Sequence, residues 1–420
     1  VSTELRAALR EAVADAPPYD VDPRAVVRAG VRRTRRRVGA AVGLGSLAAA
    51  ALAVATVLSG PERPAPDPAP AEIDRVDVDR ALPLRIDPLT TTRTTWRDSG
   101  PASLEYDRYE GITTDGLVLR ARYTNDRGHA EIGLVEPATG ATDWLPPLPG
   151  RPPEVTVVEL TEDRLVLAEW MHQGRTLLLF DRGTRTWQRS VVHVSGSWEV
   201  HLPPVIRMGP EDRVYVGSTM EGESAPLHWW SASLEEGGQA RVEPGLRGVA
   251  VAWTDDAELR ATWDGRVVVS TPAGETELSD RRPDGCDEPT AFPEVAPTVL
   301  WAGDRPVVTY FCESGSDVPG RTTVVHERHG GRVVEIADAA AVAADASHVV
   351  LSGVTDDGAE HPGHTSTYVL DLDQLTLARV GEGMHDAQVA LAAGLLLWNT
   401  PGPDDSQDAY DVVWNVARLE

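Results

Sequence analysis

The chain has 420 residues, with 39 basic side chains against 65 acidic ones and a formal net charge of −26. A hydrophobic share of 41% with 12 Trp excludes a chain disordered throughout. A phosphate-binding surface needs net positive charge, so nucleic-acid binding by the bulk of the protein is excluded as well. Nine of the arginines but only five of the acids fall within residues 1–60, a local excess of four positive charges on a remainder that carries −30. Segments so different in charge are expected to occupy different surroundings.

Residues 1–37 form a short Arg-rich segment in which Leu5, Leu9 and Val13 recur every four positions, as on one amphipathic helix. Residues 38–58 follow as VGAAVGLGSLAAAALAVATVL, 21 residues without a charge. As a helix they span about 31 Å, the thickness of a bilayer's hydrocarbon core. Arg32, Arg33, Arg35, Arg36 and Arg37 stand directly before this stretch, and only Glu62 and Arg63 stand just after it. The positive-inside rule therefore predicts a single-pass protein of the cell membrane, with its N-terminus inside and the C-terminal part extracytoplasmic. A cleaved signal peptide is the alternative, with Ala53-Val54-Ala55 as a small-residue site. The long leader with Pro17, Pro18 and Pro23 argues for a retained anchor. Residues 59–72 carry Pro at 61, 64, 66, 68 and 70, a pattern for a stiff polyproline stalk.

From residue 73 to 420 one pattern recurs: an Asp- or Gly-rich turn, a run of β-formers, a hairpin turn, a second run, then a weaker strand. It opens near Asp115, Asp163, Asp212, Asp256, Asp304, Ser347 and Ala393, in steps of 48, 49, 44, 48, 43 and 46 residues. A period in the 40s with three or four short strands is the signature of a β-propeller blade. Apolar stretches ahead of the opening turns, such as VTVVEL, LRGVAVAW and QVALAA, are expected to be the innermost strands. The fold expected is mainly β, a seven-bladed β-propeller preceded by one transmembrane α-helix. The chain ends inside the seventh unit, short of an outer strand, and Ile73–Arg80 or Leu82–Ile86 is expected to supply it. Closing the ring in that way removes exposed strand edges.

Cys286 and Cys312 are the only cysteines, both in the part placed outside, and a disulfide is expected between them. His326-x-x-His329 and His361-x-x-His364 have no identifiable third ligand, so no metal site is assigned. Asp356-Asp357-Gly358 and Asp404-Asp405 are oxygen-rich, yet Asp and Gly also simply make turns. No nucleophile elbow, phosphate-binding loop or HExxH helix is present, and no catalytic residue or cofactor is assigned. The turns DRGTRTW and EPATGATDW resemble fragments of sialidase and quinoprotein repeats without the regular recurrence of those families.

The segments LRAALREAVADAPPYDV and VRAGVRRTRRR, with the repeat pattern behind them, resemble a family of actinobacterial single-pass membrane proteins with an extracytoplasmic WD-repeat-like or TolB-like propeller. Some members resemble partners of extracytoplasmic-function sigma factors, which implies a transmembrane regulator. This chain differs from zinc-type anti-sigma proteins in having no Cys and no His before residue 129. The expected role is a non-catalytic binding or sensing module linked to envelope signalling, with a protein or cell-envelope ligand at the propeller. An envelope enzyme acting on glycans or peptides, or a structural envelope protein, stands as the alternative.

Overall fold

The computed structural model describes residues 72–84, 86–97, 105–124, 129–150, 152, 155–170, 175–194, 205–218, 228–235, 237–262, 265–280, 283, 286, 298–312, 320–327, 332–354, 365–383, 389–402 and 409–419. The Arg-rich segment 1–37, the apolar stretch 38–58 and the stalk up to residue 71 lie outside the described residues. No helix among the described residues is long and apolar enough to cross a membrane.

Three strands open the described chain: β1 (Glu72–Val76), β2 (Leu82–Pro83) and β3 (Thr90–Arg97). Four-strand sets follow in order. Set I is β4 (Glu105–Ile112), β5 (Val118–Thr124), β6 (His129–Val135) and β7 (Thr142–Trp144). Set II is β8 (Val155–Leu160), β9 (Arg164–Trp170), β10 (Arg175–Asp181) and β11 (Thr186–His193). Set III is β12 (Val205–Gly209), β13 (Arg213–Ser218), β14 (His228–Ser233) and β15 (Gly237–Val242). Set IV is β16 (Val249–Trp253), β17 (Glu258–Thr262), β18 (Arg266–Thr271) and β19 (Gly274–Asp280). Set V is β20 (Thr298–Ala302), β21 (Arg305–Cys312), β22 (Gly320–His326) and β23 (Arg332–Ala337). Set VI is β24 (Ala339–Ala344), β25 (His348–Val354), β26 (Thr365–Asp371) and β27 (Thr376–Gly383). Set VII is β28 (Ala390–Ala392), β29 (Leu395–Pro401) and β30 (Ala409–Arg418), completed by β3.

Within each set, strands adjacent in order pair antiparallel. The first strand of each set touches the first strand of the next, from β4 through β8, β12, β16, β20 and β24 to β28, and β28 returns to β4. This cyclic order of radiating antiparallel sheets is a β-propeller. The stretches VTVVEL, VAVAW and ALA lie on inner strands β8, β16 and β28, as the sequence predicts.

The middle strands of the sheets are buried on both faces, and this explains their near-continuous apolar runs. In β9, Leu165 and Leu167 enter the core shared with set I, while Val166 and Ala168 enter the core shared with set III. Each fully buried Leu of this kind contributes about 2 kcal/mol. Further cores join IV to V, V to VI, VI to VII and VII back to I. Between III and IV the contact is aromatic: Tyr215 packs on Trp253 at 4.2 Å between ring centroids, with Trp229 edge-on to Trp253.

A buried hydroxyl pair adds a polar joint between V and VI. Thr309 and Thr323 lie 2.8 Å apart at Oγ1, and both accept from the Ala341 N–H at 3.0 Å. Thr323 also donates to the Ala339 carbonyl. The bulge at Ala341/Ala343 in β24 thereby keeps its backbone groups satisfied. Gly303, at φ +61°, lies where a Cβ would meet the Ala346 backbone at 3.0 Å, a close approach that only glycine permits.

The closing strand differs from the expectation. Thr90–Arg97 pairs with β30 along eight residues and completes set VII. Residues 72–76 instead add a parallel strand to β23 of set V, and Leu82–Pro83 add one to β27 of set VI. Five-residue and two-residue pairings cannot match the length of β30, whereas the Thr-rich run from Thr90 can. The N-terminal strands therefore strap the outer edges of V, VI and VII in succession.

Candidate site: a groove between the first two sheets

The turn joining β4 to β5 is Thr113-Thr114-Asp115-Gly116-Leu117. The Thr113 hydroxyl accepts from the Leu117 N–H at 2.9 Å and donates to Asp115 Oδ1 at 2.6 Å. Gly116 provides the φ of +89° that the turn needs. The same device holds the corresponding turns of sets II and IV, where Thr161 and Thr254 accept from Arg164 and Ala257.

Rigid turns place Asp115 within reach of Arg182 of set II. Both Arg182 Nη atoms donate to the Asp115 carboxylate, each at 2.8 Å, and Nη1 also donates to the Thr161 carbonyl at 3.0 Å. A second bridge lies farther out. Asp181 caps the turn after β10 by accepting from the Thr184 N–H at 2.7 Å, and Arg185 adopts φ 56°. Its guanidinium then donates to both oxygens of Asp143 on β7, at 2.7 and 3.1 Å. Trp187 Nε1 donates to the Pro146 carbonyl at 2.8 Å, and the Trp187 ring rests on Phe180.

Between the two bridges lies a cavity of about 540 Å³. Leu117, Leu134, Leu145 and Phe180 line it with apolar surface, and Glu136, Thr142, Asp143, Arg182 and Arg185 provide its polar lining. Hydrogen bonds from Arg182 hold the Asp115 carboxyl below the usual carboxylate range, and Arg185 does the same for Asp143. Each arginine is in turn raised by its carboxylate. The groove thus presents Asp143, Arg182 and Arg185, each held in an ion pair, over an apolar floor.

The expected disulfide is present: Cys286 and Cys312 are bonded, with Cα atoms 4.5 Å apart, and both are buried in the core between IV and V. It ties the connection after set IV to the end of β21. His326 is buried on β22, and its Nε2 finds no hydrogen-bond partner among the described residues. Burial pushes its pKa down to about 4. Its companion His329, the pair His361 and His364, the acidic turns at 356–358 and 404–405, and Arg32, Arg33, Arg35, Arg36 and Arg37 lie outside the described residues.

Reasoning from sequence missed Asp115, Asp143, Arg182 and Arg185 as a group, although it drew attention to the turns that carry three of them. EPATGATDW holds Asp143, and DRGTRTW holds Arg182 and Arg185. The available signal was opposite charge at the outer turns of consecutive repeats, 42 residues apart for Arg185 and Asp143.

No protein-family model and no curated protein matches the chain. Among solved structures, it is similar to an oligogalacturonate lyase in complex with manganese at 14% identity, covering 81% of this chain and 99% of that one, with a TM-score of 0.46. It is similar to Pyrococcus horikoshii acylaminoacyl peptidase at 10% identity, over 77% and 54% of the two chains, with a TM-score of 0.47. TolB from Acinetobacter baumannii is matched at 10% identity over 64% and 65%, with a TM-score of 0.39. Likeness this distant leaves the assignment of fold to the sheet order itself, and that of function to the residues of the groove.

Proposed function

We propose that this chain is a membrane-anchored, extracytoplasmic seven-bladed propeller that acts as a non-catalytic binding or sensing module for a protein or cell-envelope ligand, linked to envelope signalling. Sets I to VII are its blades, and the groove between the first two is its docking site. The observation that carries this reading is the pairing of the groove's charges. A general acid needs a proton near neutral pH, and so a carboxyl raised toward that range. Asp115 and Asp143 are shifted the other way by Arg182 and Arg185. They serve a ligand as fixed charges beside an apolar floor, which suits an amphipathic surface. A disulfide supports an oxidising compartment. The uncharged stretch 38–58, with arginines before it, supports the anchor and its orientation.

The test is a photo-crosslinking residue at Ala141, an exposed position on the groove, introduced into the full chain in living cells. A control places it at Ala273, in the matching turn of set IV. The expected result is a discrete adduct with an envelope component from position 141 and none from 273, lost in Arg185→Glu. Identical adducts from both positions would overturn the assignment of the groove. Turnover of a glycan or peptide that Arg185→Glu abolishes would replace the binding module with an enzyme.

A further inference from the structure

The inner strands of the ring are almost wholly covered by their neighbours. Among their described residues only Thr156 on β8, Arg207 on β12 and Val342 on β24 are exposed. Arg207 stands two residues before the end of its strand, and Val342 stands at the same position in β24. Both faces of β12 are occupied. Ile206 and Met208 pack into the core shared with set II. On the other face, Tyr215 lies opposite Arg207, and Gly209 lies where a Cβ would meet Tyr215 and Trp253, the aromatic contact with set IV. One edge of β12 is paired to β13. The pleat puts Arg207 on the Tyr215 face, and the remaining edge of β12 faces the axis of the ring, so the exposed Arg207 side chain borders the central channel.

That surrounding is unfavourable for a lone cation. The inner strands on either side, β8 and β16, read VTVVEL and VAVAW, apolar except for Thr156 and for Glu159, which is already paired with Arg164. Protein around Arg207 pulls its pKa below the ordinary value by desolvation, with no hydrogen-bonding or charged partner to offset it among the described residues. Water still reaches the side chain, and both facts hold together for a group standing in a narrow aqueous channel. A cation in such a place is costly unless paired. Among the described residues, Arg164, Arg182 and Arg305 pair with acids of neighbouring sheets, whereas none pairs with Arg207.

We propose that Arg207 anchors a second binding site, inside the channel, for a carboxylate carried by the ligand. A guanidinium presents a planar fork that matches a carboxylate with two parallel hydrogen bonds. One positive charge among apolar walls is neutralised by a monoanion, whereas a phosphate dianion would leave a net negative charge there. Thr156, on the neighbouring inner strand β8, is exposed as well. The carboxylate belongs to a peptide or to a sugar acid. This site shares no residue with the rim groove and stands or falls apart from it.

The experiment is calorimetric titration of the full chain with three probes: acetyl-Ala-Ala-Ala with a free C-terminus, the same peptide as its amide, and glucuronate. One free-carboxylate probe is expected to bind and the amide is not; which one binds identifies the source. Arg207→Gln is expected to weaken that binding at least tenfold while the melting temperature stays level or rises, because no protein partner is lost. Arg207→Lys, which keeps the charge without the fork, is expected to bind several-fold more weakly than the parent. The proposal is overturned if neither acid binds, if the amide binds as well as the acid, or if Arg207→Gln binds as the parent does. A marked fall in melting temperature in Arg207→Gln also overturns it, by revealing a structural partner.

Discussion

Arg182 on set II grips Asp115 on set I through two parallel hydrogen bonds of 2.8 Å, across 67 residues of sequence. Propeller blades bury apolar surface against one another, which sets their contact but leaves them able to slide. A bidentate ion pair at the rim adds direction, since it forms at one registration only. Comparable bridges join II to III through Arg164 and Asp212, and V to VI through Arg305 and Asp373.

Asp115→Asn and Arg182→Ala are each expected to destabilise the protein by about 1–2 kcal/mol, the range for a well-formed, partly buried ionic pair. Thermal melts of the two single variants and the double variant measure it. The double variant is expected to lose little more than either single one. Full additivity would mean that the two residues act separately.

Acid should act through the same pair. The Asp115 carboxyl is lowered in the folded state. Its contribution is therefore present above the unfolded carboxylate pKa of about 4 and is lost as pH falls through the folded value. Below pH 4 the parent should lose stability faster than Asp115→Asn, as urea unfolding at stepped pH would show.

His326 acts in a different window. Its folded pKa of about 4 lies below the ordinary histidine value of 6.5, so the unfolded chain takes up a proton that the folded one refuses. Stability is complete above pH 6.5 and declines toward pH 4, by at most about 3 kcal/mol at about 1.4 kcal/mol per unit. His326→Gln should flatten the profile between pH 6.5 and 4. An unchanged slope in that variant would remove His326 as the source.

Reducing the Cys286–Cys312 bond removes a loop constraint spanning 26 residues, worth about 3 kcal/mol on the chain-entropy model. Dithiothreitol is expected to lower the melting temperature of the parent by several degrees and to leave that of Cys286→Ser/Cys312→Ser unchanged. Equal melts with and without reductant in the parent would show that the bond contributes nothing.

The N-terminal strands give a truncation test. A chain beginning at Glu72 keeps β1, β2 and β3 and is expected to melt cooperatively at the same temperature as the full chain. One beginning at residue 98 lacks β3, leaves β30 with an open edge along eight register positions, and is expected to aggregate. Soluble, cooperative folding of the shorter chain would show that ring closure does not depend on Thr90–Arg97.

The repeat was legible in the sequence because each unit must bury both faces of its strands and then turn. Runs such as LVLAEW and RTLLLF, set between Asp- and Gly-rich turns at steps of 43 to 49 residues, follow from that requirement alone. The inner strand VTVVEL and the pairing of the two cysteines were legible for similarly local reasons: an apolar run ahead of a turn, and an even count. Long-range choices were not. Several short N-terminal segments had enough β character to close the ring, and only the length of β30 selected Thr90–Arg97 while sending 72–76 and 82–83 to other edges. Arg182, Arg185 and Arg207 look alike in a sequence with 39 arginines. Tertiary structure separates them, because the position of each strand in its sheet decides whether a guanidinium meets a neighbour's carboxylate at the rim or lies on an inner strand without one among the described residues.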